Sequence, residues 1–287
     1  MKEALLMKQI DLHVHSTISD GTLTPTELAI YAKEKGLSAI ALTDHDTIDG
    51  IAECQQKGEE LGLEVIPGIE FAAEYQNREI HILGYFIDPK NVFLKNKLKS
   101  ILARRHARNL QMLTQCESLG FIFNEEDKLL LSDPYVVATR AHFANAFFHK
   151  GYVETRLEAF EKYLNRGKPC YVSRKRFTPE ECIATIHAAG GLAVLAHPLL
   201  YHFENEQFEV LLSTLKADGL DGLETLYCTH EHTDVLSLLE CCLKYKLLPT
   251  GGSDFHGENK PGLDLGTGYG KLAIPYDILE SLKHKHS

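Results

Sequence analysis

The sequence predicts an α/β fold in which a parallel sheet can close as a barrel, interrupted by a helical insertion. Three observations predict it. Residues 10–71 alternate strand, helix, strand, helix, strand, the pattern of a parallel sheet. No strong strand pattern lies between Phe86 and Pro169, a gap too long for one crossover helix. From residue 168 the strand and helix rhythm resumes.

The first strand is the apolar run beginning at Ile10, IDLHVHSTISD. Successive strand side chains point to opposite faces, so His13 and His15 share one face and Leu12 and Val14 the other. Thr24-Pro25-Thr26-Glu27 is a capping box with proline at the first helical position, opening a helix that Gly36 stops. Ser38 to Thr43 reads as a buried strand ending in Thr43-Asp44-His45-Asp46. Thr47 to Gly62 is the next helix, and Leu63 to Phe71 a third strand carrying Glu70. A turn at Gln76-Asn77-Arg78 leads to a return strand, Glu79 to Phe86, carrying His81.

Helical patterns then cover Leu94–Leu119, Thr139–Lys150 and Glu154–Leu164, which sets an inserted helical subdomain at 92–168 between barrel segments 1–91 and 169–287. A strand is expected at Lys168–Val172, followed by a second capping box at Thr178-Pro179-Glu180-Glu181. Leu192 to Ala196 is a buried strand delivering His197. Further strands at Gly222–Leu226 and Leu247–Gly251 alternate with helices near Phe208–Leu215 and Val235–Tyr245. The last strand ends in Ser253-Asp254-Phe255-His256, and Tyr276–Lys285 forms the final helix.

Composition narrows the class. The apolar fraction of 44% and charged fraction of 24% are those of a folded globular chain. Seven cysteines, with no C-x-x-C pair, read as reduced thiols of a cytoplasmic protein. Met1 to Lys8 is too short and charged for a signal peptide, and no run reaches membrane-helix length. A net charge of -10 excludes a broad basic face for coating nucleic acid. A small anionic substrate then requires positive charge concealed in a pocket, which bound divalent cations would supply.

Nine residues share one address within or just after predicted strands: His13, His15, Asp20, His45, Glu70, His81, His197, Asp254 and His256. In a closed α/β barrel the C-terminal strand ends form one rim, so these side chains would converge. Any one histidine could be an ordinary core residue, but Asp254 and His256 repeat the i, i+2 spacing of His13 and His15. Imidazole and carboxylate donors without thiolate suit manganese, iron or zinc. Nine donors exceed what one ion needs, which implies two or three divalent metal ions.

The pieces DLHVHSTISDG, ALTDHD, PGIEF, HILGY, LAHP and GSDFH, in this order from residue 11 to 256, resemble the PHP (polymerase and histidinol phosphatase) family of metal-dependent phosphoesterases. The stretches TRAHFA (Thr139 to Ala144) and GKPCYV (Gly167 to Val172) resemble the branch of nucleotide bisphosphate phosphatases and nucleases acting on phosphorylated nucleic-acid ends. The resemblance implies a distorted (β/α)7 TIM-like barrel holding three metals. It assigns His13, His15, Glu70 and Asp254 to one ion, bridged by Glu70 to a second held by His81 and His197. Asp20, His45 and His256 would take the third. Two departures bear on the substrate: Leu199-Leu200-Tyr201 stands where the branch commonly has Gly-Arg-Tyr, and Asn145 where an arginine is often found.

Such a centre fits direct hydrolysis of a phosphate ester by a metal-activated water, with no protein nucleophile. Arg140, His142, Arg174 and Lys175 are candidates to hold a second phosphate or a sugar, and His230 is the candidate proton donor to the leaving oxygen. The expected substrate is a small phosphorylated metabolite, a nucleotide or nucleotide 3′,5′-bisphosphate. Competing readings are a 5′-3′ exonuclease on short phosphorylated nucleic acid, a histidinol-phosphate, sugar-phosphate or cyclic-phosphate phosphoesterase, and a non-catalytic metal-bound binding module.

Overall fold

The computed structural model describes residues 8–287, so of the opening Met1 to Lys8 only Lys8 falls within the described residues. Eight strands form one sheet in the order β7-β6-β5-β4-β3-β2-β1-β8. They are β1 (Gln9–Val14), β2 (Ala39–Leu42), β3 (Glu64–Tyr75), β4 (Arg78–Tyr85), β5 (Leu192–Leu195), β6 (Gly222–Tyr227), β7 (Leu248–Gly252) and the short β8 (Ile274–Pro275). The expected distorted TIM-like barrel is what forms. Beyond β7 the chain turns onto β1: Asp254 N–H donates to the His13 carbonyl at 2.8 Å and His15 N–H to the Phe255 carbonyl at 2.9 Å. Seven strands thereby close on themselves, and β8 adds only an antiparallel edge to the start of β1.

The distortion is local. β1, β2 and β3 run parallel, as do β5, β6 and β7, but β4 is antiparallel to both of its neighbours. The short turn at Gln76-Asn77 makes this so, because it returns the chain at once and leaves no crossover helix. Strands β2 and β5 are buried throughout, which is why AIAL and LAVL lack polar alternation.

Helices α1 (Pro25–Glu34) and α2 (Ile51–Leu61) connect the first strands. Between β4 and β5 lie α3 (Val92–Ser118), α4 (Glu125–Ser132), α5 (Arg140–His149) and α6 (Arg156–Ala159), which continues as a π-helical turn at Phe160–Leu164, and then α7 (Pro179–Ala188). Both capping boxes form as read: Thr24 and Thr178 accept from the N–H groups of Glu27 and Glu181. The remaining helices are α8 (Asn205–Ala217), α9 (His232–Tyr245) and α10 (Asp277–His286).

The long helix α3 serves two cores. Leu94, Leu98 and Ile101 pack with the barrel, whereas Met112, Leu113 and Cys116 join a separate cluster with Phe143, Phe147 and Cys170. The strand expected at Lys168–Val172 does not form. Strands β4 and β5 pair directly, Ile82 opposite Leu195, so the sheet has no place for it. Cys170 and Val172 instead pack into the insertion core.

Candidate metal centre

Strand geometry brings the nine rim residues together. β1 turns His13 and His15 inward, and the approach of β7 is close enough that a Cβ on Gly252 would lie 2.1 Å from the His13 Cβ. Only glycine fits there. His197 and Asp254 follow β5 and β7 with positive φ of 22° and 58°, backbone values that non-glycine residues hold only where the surroundings enforce them.

Glu70 sits at the centre, fully buried. Its Oε1 lies 2.8 Å from His81 Nδ1, 3.1 Å from His197 Nε2 and 3.4 Å from His13 Nε2. Its Oε2 lies 3.0 Å from His45 Nδ1 and 3.3 Å from His15 Nε2. Asp254 Oδ1 stands 3.5 Å from His13 Nε2 and 3.3 Å from His15 Nε2, and Asp20 Oδ1 stands 3.3 Å from His256 Nε2. Two donors each about 2.1 Å from one ion lie about 3.0–3.4 Å apart at right-angled to tetrahedral geometry, so these spacings fit shared cations.

The donor atoms also lack other partners. His13 Nε2, both ring nitrogens of His15, Asp20 Oδ1, His45 Nδ1, Glu70 Oε2 and His197 Nδ1 are buried without a hydrogen bond, a cost that a coordinated metal removes. Four overlapping groups could each hold an ion: His15, Asp20, His45 and His256; His13, His15 and Asp254; His13, Glu70 and His197; and His45, Glu70 and His81. Glu70 stands in two of them. His15 stands both with His13 and with the Asp20 group, a sharing that the division by resemblance does not contain.

The electrostatics of the rim favour positive charge. Burial opposes charge on Glu70, yet the imidazoles of His45, His81 and His13 hold its carboxyl well below the ordinary range. Burial likewise opposes protonation of His15 and His81, but Asp254 and Glu70 raise His15 to about 9, and Glu70 and Glu79 raise His81 to about 10. Protons on imidazoles thus balance the carboxylates, a role divalent ions fill in their place.

Supporting residues lie behind this layer. Glu224, fully buried on β6, accepts from His13 Nδ1 at 3.0 Å and from the His197 N–H at 2.6 Å, leaving His13 Nε2 for coordination. Its signal was an acid in the buried run GLETL, which sequence reasoning passed over. Asp44 accepts from the hydroxyls of Ser16 and Ser19 at 2.6 Å each, and Tyr227 and Lys260 both donate to Asp254 Oδ2.

A cavity of about 160 Å³ opens at the rim, its lining including Asp20, His45 and His81, the carboxylate Glu79, and Arg105, Arg108, Arg140, Arg174 and Arg176. Arg105 donates twice to Asp46, at 2.8 and 2.5 Å, and Arg174 donates to the same oxygen at 3.0 Å. Arg140 and Arg176 share Glu79 at 2.7 Å each. Of the expected substrate residues, Arg140 and Arg174 line the cavity, but Lys175 is exposed and lies outside it. His142 Nδ1 accepts from the Thr139 N–H at 3.0 Å, capping α5, and is not among the cavity's lining residues. Arg105, Arg108 and Arg176 line the cavity as well.

His230 stands apart. Its Nδ1 donates to the Thr225 carbonyl at 2.9 Å, and it lines a different cavity with Tyr227 and Cys228 that none of the nine rim residues lines. Tyr201, which follows the departing pair Leu199-Leu200, accepts from the His81 N–H at 2.8 Å and donates to the Ala196 carbonyl at 2.9 Å, tying β4 to the end of β5. Asn145, at the other departure, accepts from Arg156.

Comparison with known proteins agrees with this geometry. The profile of the PHP domain matches residues 11–166. A 5′-3′ exoribonuclease of Haemophilus influenzae is 37% identical over 251 residues, 88% of this chain and 91% of that protein. A 3′,5′-nucleoside bisphosphate phosphatase of Chromobacterium violaceum is 35% identical over 260 residues, 91% of each. The structure of an amidohydrolase from Chromobacterium violaceum, with bound sulfate and no metal, superposes with a TM-score of 0.86 at 33% identity over 96% of each chain. With its motifs, its barrel and its converging histidines all in agreement, the chain belongs to the PHP domain family.

Proposed function

We propose that the protein is a metal-dependent phosphoesterase that releases phosphate from a nucleotide, with a nucleoside 3′,5′-bisphosphate as the favoured substrate. One observation carries this reading: three rim residues and five arginines line the same cavity, so a phosphoryl group at the rim has a second anion-binding wall beside it. The relatives' activities on bisphosphates and on RNA support the same class.

The residues that would hold the ions are His13, His15, Asp20, His45, Glu70, His81, His197, Asp254 and His256. Two or three ions of manganese, iron or zinc suit their nitrogen and oxygen donors. Bound there, such ions supply a water of lowered pKa and neutralise charge on the phosphoryl oxygens. The chain's own contribution is orientation. Glu224 fixes the His13 and His197 segments, Tyr201 fixes β4 against the end of β5, and the cavity arginines hold the substrate's far end. His230 is left out of this reading because it faces another cavity.

The second reading is a 5′-3′ exonuclease on short RNA or DNA, favoured by the exoribonuclease relative and by a cavity able to hold a terminal phosphate. A phosphate-release screen of manganese-loaded protein separates the two. It would span nucleotides, nucleoside bisphosphates, sugar phosphates, histidinol phosphate and short 5′-phosphorylated oligonucleotides. Free phosphate from the bisphosphate is the expected result. Nucleotide ladders without free phosphate would favour the exonuclease, and a blank across all substrates would overturn both.

A further inference from the structure

We propose that Arg108 is the specificity-determining residue of the cavity, because it presents a buried cation that only a second anionic group on the substrate neutralises. The inference rests on the phosphoesterase reading above. Arg105 and Arg108 lie three residues apart on α3 and so share one helix face. Their situations differ sharply. Arg105, like Arg174, is paired with Asp46, and Arg140 and Arg176 are paired with Glu79. Asp46 and Glu79 therefore serve four guanidinium groups, with Glu74 also 4.0 Å from Arg176, and the fifth guanidinium has none.

Arg108 is only 4% exposed, makes no hydrogen bond or ion pair among the described residues, and its Nε has neither partner nor solvent. Burial and the neighbouring Arg105, Arg174 and Arg140 push its pKa well below the ordinary arginine value. A buried, unpaired charge opposes folding, so nothing within the protein accounts for keeping it there. A terminal phosphate monoester, carrying two negative charges and several acceptor oxygens, matches a planar fork of free donors. The paired arginines shape the wall, and Arg108 discriminates between substrates that bring a second phosphate and substrates that do not.

The reading makes stability and activity move in opposite directions. Replacing Arg108 with methionine keeps much of the side-chain volume and removes the charge. The test compares metal-loaded wild type and Arg108→Met on a nucleoside 3′,5′-bisphosphate and on p-nitrophenyl phosphate, which has one phosphate. The variant should lose about 10- to 100-fold in kcat/KM on the bisphosphate, the range for a lost charged hydrogen bond, and several-fold less on p-nitrophenyl phosphate. Its melting temperature should exceed that of wild type, and added sulfate should stabilise wild type more than the variant. Equal losses on both esters, no loss on the bisphosphate, or a lower melting temperature for the unliganded variant would each overturn the assignment. Failure of wild type to release phosphate from either ester would instead overturn the phosphoesterase reading.

Discussion

The rim of the barrel and the arginine wall beside it are incomplete in opposite senses. At the rim, buried carboxylates and imidazoles leave donor atoms without partners and call for cations. At the wall, four of five guanidinium groups are paired with carboxylates, and the fifth, Arg108, calls for an anion. A phosphorylated substrate that lies across both satisfies both. A chain of net charge -10 can thus bind an anion without a basic surface, because the positive charge is held inside.

The contrast is broken most severely at Glu70, whose two oxygens face different histidines. Glu70→Gln should abolish most metal binding and lower kcat by more than about 100-fold, beyond the range for outer partners of a metal site. Elemental analysis and phosphate release measure both. On the other side, Asp46→Asn leaves Arg105 and Arg174 buried without their counter-ion. It should cost about 3–5 kcal/mol of stability by urea denaturation, the range for breaking a buried pair, while metal content holds. A variant that lost metal as readily as stability would show that the two regions are one unit.

A finer division lies within the rim. Asp20→Ala should release one ion and leave the ion at His13 bound, as metal titration would show. Loss of all the metal would mean that His15, which stands in both groups, couples them. The mildest probe is acid. Imidazole ligands must be neutral to bind metal, and with His15 raised to about 9 and His81 to about 10 protons compete for them already at neutral pH, so metal content should fall from the start of the acid titration. Glu79 is different: although burial opposes its charge, Arg140, His81 and Arg176 hold its carboxyl well below the ordinary range. Its folded pKa is depressed, so its stabilising contribution is present above the unfolded value and lost only as pH falls through the lowered one. Metal content and far-UV circular dichroism followed from pH 7 to 3 should therefore show metal loss first and unfolding later.

The two regions also differ in how they could be read. Each rim ligand sits within or just past a strand, so the shared rim of a closed barrel brings them together, and the i, i+2 spacing of His13 with His15 and of Asp254 with His256 marks the pattern. The wall has no such signature. Arg105 and Arg108 come from the middle of a long helix, where an arginine reads as surface, and Arg174 and Arg176 come from the loop that follows the stretch expected as a strand at Lys168–Val172. Their meeting depends on how the insertion docks on the barrel, which local pattern does not encode. Lys175, between Arg174 and Arg176, was chosen from the same run and faces solvent, since only alternate residues there turn inward. Glu224 was hidden for another reason, as a single acid in an apolar strand carries no motif.

The most direct measurement is a crystal structure of the metal-loaded protein with a nucleoside 3′,5′-bisphosphate analogue whose scissile phosphate is replaced by a phosphonate. The phosphonate is expected among the ions at Glu70 and the second phosphate within hydrogen-bonding distance of Arg108. Both groups on the metals, or an arginine wall without an anion, would contradict this division of roles.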